Sequence, residues 1–419
     1  MNKYYKKRLL IGNCLDTLKT LADSSIDSIV TDPPYELGFM NKSWDNSGVA
    51  YQVSLWQECL RVLKPGGHLL AFGGTRTYHR MAVAIEDAGF EIRDSIHWTY
   101  GSGFPKSLDI SKAIDKAAKA ERKVVGTNPN VVRASKVEGG SDFGGFTKAD
   151  ATITAPATEA AKQWQGWGTA LKPSHEPIVL ARKKLIGTVA ENVLQYKTGG
   201  INIDGSRIGT DPVPINIIEE WSGFGQKIKP KYKQIINTAG RFPANTLLTH
   251  NHNCQDTCTP NCPVAKLNQQ TEDVSRFFHN SKWQQADDIT PFIYQAKAGK
   301  KERNAGLNGL PEKRPDERTK TGMGTFEVKG VAKQSNFHPT VKPIEVIKYL
   351  IKLITPSKGI VLDPFLGSGT TAVAAIELGY DWVGCEITED YIPIITGRIN
   401  YAKKNLTNKK EKRKKKNEI

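Results

Sequence analysis

Cysteine is scarce in this chain, with six among 419 residues. Cys14, Cys59 and Cys385 stand apart in apolar contexts and read as core thiols, which argues against a disulfide framework. No apolar run approaches the roughly 20 residues that a membrane-spanning helix needs. The segment Met1–Arg8 is basic but lacks the apolar core of a signal peptide. A cytoplasmic protein without a membrane partner is therefore expected. Acidic residues are also in deficit: 43 Asp and Glu face 59 Lys and Arg, a formal net charge of +16. Residues 403–419 hold nine basic and two acidic residues and read as a basic disordered tail, which leaves +9 on the remainder. An excess that persists without the tail points to a polyanion, most simply nucleic acid. There is no convincing internal repeat and no endonuclease pattern.

What is present is an alternation of strand and helix signals at the two ends of the chain. Leu9–Ile11, Ile26–Val30, His68–Phe72 and Phe90–Trp98 are strand-like. Val53–Leu63 and Tyr78–Ala88 have helical spacing, and Lys64-Pro65-Gly66-Gly67 reads as a turn. The pattern resumes at Ile344–Ile354 (helix), Gly359–Asp363 (strand), Thr370–Leu378 (helix), Tyr380–Glu386 (strand) and Tyr391–Ile399 (helix). Such a rhythm predicts an α/β fold with a mostly parallel sheet covered on both faces. Between the ends the rhythm breaks. Residues 106–170 are rich in Gly, Thr and Ser, Glu176–Arg182 reads as a lone strand, and 184–335 is irregular with scattered aromatics.

Two motifs carry chemistry. Asp363-Pro364-Phe365-Leu366-Gly367-Ser368-Gly369-Thr370 joins a strand to a helix. Glycine there lets the backbone turn and approach a ligand, and ligands bind at such strand ends. The spacing is not G-x-G-x-x-G, and no Lys-Ser/Thr follows to make a phosphate loop. The next strand ends in Glu386, placed to accept from both hydroxyls of a ribose. The implied ligand is a nucleoside that needs no phosphate. The second motif, Asp32-Pro33-Pro34-Tyr35, closes the apolar strand 26–30. Two prolines stiffen this strand end, and Tyr35 offers a ring face. Alone, the tetrad would read as a turn.

Together, tetrad first and loop last, they resemble the DNA amino-methyltransferases that use S-adenosylmethionine, in the circularly permuted beta arrangement. The resemblance covers about 1–105, 171–183 and 336–400, and the middle of the chain resembles long phage- or prophage-borne, stand-alone members. It implies a permuted, Rossmann-like methyltransferase fold. The domains would be a first catalytic segment over 1–105, an insertion 106–170, a return strand 171–183 carrying His175-Glu176-Pro177-Ile178, a target-recognition domain 184–335, a cofactor-binding segment 336–402 and the tail 403–419. The sheet would need one more strand beyond Glu386, supplied by Leu9–Ile11.

The resemblance also implies site residues. Asp363, Phe365, Gly367 and Gly369 would line the methionine moiety of the cofactor, together with Ser368 and Thr370, and Glu386 would take the ribose. Thr340-Val341-Lys342-Pro343 looks like the segment preceding the loop, where Lys342 would pair with the methionine carboxylate and Phe365 would lie near the sulfonium. Asn13 and Cys14 stand where an acidic residue usually meets adenine. In the tetrad, the Asp32 carboxylate and the Pro33 carbonyl would accept both protons of an exocyclic amine, aiming its lone pair at the methyl group. The base would have to leave the duplex. No cysteine nucleophile is placed here, which argues against methylation at ring carbon. Asp as first letter favours adenine N6 over cytosine N4. Double-stranded DNA is the expected partner, and monomer or homodimer stays open. RNA or protein amines, or a non-catalytic DNA-binding relative, are the competing readings.

His250, His252, Cys254, Cys258 and Cys262 crowd one polar stretch. Cys254, Cys258, Cys262 and His252 suit a tetrahedral structural zinc, and free thiols suit the stretch equally.

Overall fold

The computed structural model describes residues 8–37, 43–100, 107–127, 152–208, 213–220, 231–237, 241–249, 262–270, 279–281, 298–313 and 335–417. Its strands, in chain order, are β1 (Arg8–Ile11), β2 (Ile26–Thr31), β3 (Leu63–Phe72), β4 (Glu91–Thr99), β5 (Val124–Thr127), β6 (Thr152–Thr154), β7 (His175–Arg182), β8 (Val213–Glu220), β9 (Lys231–Asn237), β10 (Thr246–Thr249), β11 (His279–Ser281), β12 (Ile360–Asp363) and β13 (Asp381–Glu386). Nine of them form one sheet in the order β1-β13-β12-β2-β3-β7-β4-β10-β11. Strands β5 and β6 pair with each other, as do β8 and β9, both antiparallel.

Every neighbour in the large sheet is parallel except β7, which runs antiparallel to both β3 and β4. Strand β2 is buried along its whole length, as a central strand covered on both faces requires. The strand expected from the N-terminus is present: β1 adds to β13, with Ile11 opposite Glu386. Strand order reverses between β12 and β2. That is the switch point at which a crevice opens outside the carboxyl ends of the strands.

Helices cover the sheet with apolar stripes. Val53–Val62 buries Leu55, Trp56, Cys59 and Val62, the i, i+3, i+4 spacing of a single face. Ile344–Ile354 starts after Pro343 and buries seven of its eleven residues. Trp56, Leu18, Leu69 and Ile85 are among the fully buried side chains of the core.

The structure redraws several sequence boundaries. Lys64–Gly67 lie within β3 rather than in a separate turn. Leu63 pairs with Ile26 and His68 with Ser28, so the residues between them bulge from the ladder, with Gly66 at φ +76°. The last helix runs Ile392–Asn417, through the stretch expected as a disordered tail. Lys, Arg and Glu lose little freedom in a helix, and no Gly or Pro lies between 398 and 417.

The chain divides into two compact units. Met1–Gly101, His175–Ala298 and Val341–Ile419 make the first, which contains the large sheet. Ser102–Ser174 and Gly299–Thr340 make the second. Much of the stretch expected as a recognition domain therefore belongs with the sheet. Strands β10 and β11 are only four and three residues long, too short to print a period on the sequence. In the second unit, Asp115 accepts from Arg122 at 2.5 Å and from the backbone of Ala157 and Thr158, tying helix Ile110–Ala117 to the chain after β6.

Candidate active site

Because β2 and β12 are parallel neighbours, the residues that follow them emerge at the same edge of the sheet. The residue before the tetrad and the first residue of the loop, more than 300 residues apart in sequence, are joined there by a hydrogen bond. The Thr31 hydroxyl donates to Asp363 Oδ1 at 2.7 Å. The Thr371 hydroxyl donates to Asp363 Oδ2 at 2.6 Å, and the Phe365 N–H to Oδ1 at 3.0 Å. Burial pushes the Asp363 carboxyl up to about 6 against these donors. Asp363 thus organises the turn.

The loop itself needs its glycines. Gly367 and Gly369 have φ of +56° and +82°, in the left-handed region that side chains rarely adopt. Glu386, at the end of β13, is buried, and burial raises its carboxyl. Its Oε2 accepts from the Gly367 N–H and its Oε1 from the Thr388 N–H, both at 2.8 Å. The Thr388 side chain also bonds this carboxylate, whose four lone-pair sites leave room for a further donor. Ser368 and Thr370 face inward. Arg398 of the last helix donates through Nη1 to the Ser368 carbonyl (2.7 Å), the Ser368 hydroxyl (2.9 Å) and the Thr370 hydroxyl (3.1 Å). Phe365 is half-buried against the core.

The remaining expected cofactor residues are less engaged. The Asn13 side chain accepts from Leu15 N at 3.0 Å and caps helix Cys14–Leu18. Cys14 is buried, and burial lifts its thiol to about 11. Burial lifts Cys385 to about 12, so neither thiol is a nucleophile at neutral pH. Thr340 is exposed and falls in the second unit.

Around the tetrad, the structure gathers charge that the sequence reading distributed otherwise. Lys342, buried, places Nζ 2.5 Å from Asp32 Oδ2 and 3.5 Å from Glu176 Oε2. Its ammonium also lies 5.2 Å from the Tyr35 ring centroid and 5.0 Å from that of Phe72. Lys342 therefore pairs with the tetrad and with Glu176, whereas the resemblance implied a methionine carboxylate as its partner. The Tyr35 hydroxyl donates to Glu176 Oε2 at 2.9 Å, and that of Tyr100 to Oε1 at 3.3 Å. The Tyr35 carbonyl accepts from the Thr77 hydroxyl at 2.8 Å. Burial pushes the Asp32 carboxyl up, opposed by the Lys342 ammonium beside it. Asp32 Oδ1 is buried without a hydrogen-bond partner.

Thr31, Thr371, Arg398, Tyr100 and Glu176 were not singled out from sequence as site residues. Glu176 alone lay in a quoted motif, within the return strand. For the zinc reading, His252, Cys254 and Cys258 lie outside the described residues. Cys262 is fully buried with Val264, against Leu248 and Ala265. Among the described residues, no group of three or more His, Cys, Asp or Glu is placed to hold a metal.

Comparison with known proteins identifies the family. The chain is 40% identical over 108 residues to the type II methyltransferase M.ScaI of Streptomyces caespitosus, covering 25% of this chain and 36% of that protein. It is 34% identical over 115 residues to M.HpaI of Haemophilus parainfluenzae, covering 26% and 37%. It thus spans little more than a third of the length of these two relatives. Against M.HindIII of Haemophilus influenzae, the identity is 22% over 383 residues, 91% of this chain and 74% of that one. A solved M1.HpyAVI–SAM complex superposes with a TM-score of 0.39 at 15% identity, covering 94% of this chain and 98% of that one, a likeness too distant to carry residue roles across. A family model described as DNA methylase, of the N6/N4 type, matches residues 26–397, from β2 into the last helix. The chain belongs to the N6/N4 DNA methylase family.

Proposed function

We propose that this chain is an S-adenosylmethionine-dependent DNA methyltransferase that methylates the exocyclic N6 amine of adenine in a base turned out of the duplex. The observation that carries the reading is the buried Asp32 Oδ1 without a partner, at the end of a strand bonded to the loop strand through Thr31 and Asp363. An unpaired buried acceptor costs about 1–3 kcal/mol, and an amine proton arriving there would relieve it.

The residues present fit the cofactor. The left-handed glycines 367 and 369 shape the turn, Gly369 by packing against Ile395, and Glu386 retains acceptor capacity for a ribose hydroxyl. When bound, S-adenosylmethionine would supply a methyl group on a sulfonium, so that the C–N bond would form as the C–S bond broke with its electron pair left on sulfur, and the amine proton would pass to solvent. The protein orients the amine. Asp32 and the Pro33 carbonyl accept its two protons, so the lone pair is drawn out of conjugation with the ring. Tyr35 supplies a face for the base, as aromatic side chains do for extruded bases. Most of the acceleration is orientation and fixed charge.

The net charge of +16 supports a nucleic-acid substrate. Residues 184–335 lie between tetrad and loop and are assigned to recognising the target sequence. Incubation with labelled S-adenosylmethionine and duplex DNA, followed by nucleoside analysis, tests the reading. N6-methyladenine is expected. N4-methylcytosine would correct the base, and label on RNA or protein but not on DNA would refute the assignment.

A further inference from the structure

Glu176 occupies a place that only the reversed strand can provide. The parallel strands bring their last residues to the ligand edge, whereas antiparallel β7 brings its first. Register puts Glu176 opposite Trp98, and Ile178 opposite Phe72 at the end of β3. Glu176 thereby reaches the tetrad from across the pocket. Both of its carboxylate oxygens are engaged: Oε2 by Tyr35 and Lys342, Oε1 by Tyr100. Its side chain is 13% exposed.

We propose that Glu176 is a positioning residue for methyl transfer, holding the Tyr35 ring and sharing the Lys342 ammonium with Asp32 so that the tetrad pocket keeps one net negative charge. The inference rests on the reading of the chain as a DNA amino-methyltransferase. Two carboxylates and one ammonium leave that single charge, and it faces the amine nitrogen as the nitrogen becomes cationic. Charge fixed before the reaction is what stabilises such a transition state. Glu176 acts at one remove. Its bond to Tyr35 orients the stacking face, and its claim on Lys342 keeps Asp32 from being wholly neutralised by its partner.

The distinguishing variant is Glu176→Gln, which keeps the shape and an acceptor for Tyr35 but removes the charge. The groups facing Glu176 are Asp32, Lys342, Tyr35 and Tyr100, and the acid limb of transfer reports ionisation of the Asp32 carboxyl, which burial raises. Glu176 opposes ionisation of Asp32, so its removal moves the acid limb of the pH–rate profile to lower pH. The rate of transfer in a single turnover to duplex DNA is expected to fall about tenfold or more, while KM for S-adenosylmethionine stays within about twofold.

A merely structural role would lower the amount of active protein and leave the acid limb where it was. A wild type that transfers and a Glu176→Gln that transfers equally fast, or with an unmoved acid limb, overturns this assignment alone. A wild type that labels no DNA overturns the functional reading, and the assignment with it. Should Glu176→Gln fail to fold by circular dichroism, Tyr100→Phe removes the bond to Oε1 and keeps the ring. A several-fold slower transfer at unchanged KM supports the assignment, and a wild-type rate overturns it.

Discussion

Replacing Lys342 with methionine separates the pocket seen in the structure from the role that the sequence suggested. Met keeps much of the side-chain volume and removes the ammonium. In the wild type, that ammonium lies 2.5 Å from Asp32 and 3.5 Å from Glu176. Stripping one partner from a buried ion pair costs about 3–5 kcal/mol when the remaining charge stays in place. Proton uptake by Asp32 limits that cost. The acid limb of transfer therefore moves to higher pH.

The sign follows from the acid's position. Burial already raises Asp32 above an ordinary carboxylate, and Lys342 pulls it back. Without Lys342 the folded value rises further above the unfolded one. The variant then loses stability as pH rises from the unfolded value through the raised folded value, and its deficit nearly vanishes in acid. The assays are a single-turnover pH–rate profile on duplex DNA and thermal unfolding near pH 5 and pH 8. An unmoved acid limb, with S-adenosylmethionine affinity alone reduced, would refute this reasoning and return Lys342 to a cofactor carboxylate.

Two further substitutions probe the loop. Arg398→Met removes three bonds to Ser368 and Thr370 and is expected to weaken S-adenosylmethionine binding about tenfold, measured by calorimetry, because the turn loses its backing. Gly384→Val adds a side chain whose Cβ would meet Leu366 atoms at 2.7–3.0 Å. Displacing Leu366 should cost about 1–3 kcal/mol of stability, read from denaturant unfolding.

The sheet was legible where apolar strands ended at Gly or Pro punctuation. Ile26–Thr31 and Ile360–Asp363 each end at an Asp-Pro turn, and counting strands was enough to require Leu9–Ile11 in the sheet. The loop and tetrad were legible because Gly and Pro punctuate them. Strands β10 and β11 were not, since four and three residues among polar neighbours carry no period. The division of the middle of the chain was hidden for a similar reason: residues 299–340 join 102–174 through tertiary packing that no local pattern announces. Glu176 was visible as strand and invisible as site. Its role depends on β7 running backwards, which turns the start of a strand toward the ends of its neighbours. Lys342 was found without its two acidic partners, because a sequence does not tell which carboxylates converge on one ammonium.

The central claim is that Asp32 receives the target amine while the loop after β12 holds the cofactor. Its most direct test is Asp32→Ala against wild type, with labelled methyl transfer to duplex DNA and S-adenosylmethionine affinity measured on the same preparations. The account predicts that transfer falls by at least about 100-fold while cofactor affinity is retained. Transfer at the wild-type rate, or cofactor binding lost together with transfer, would contradict it.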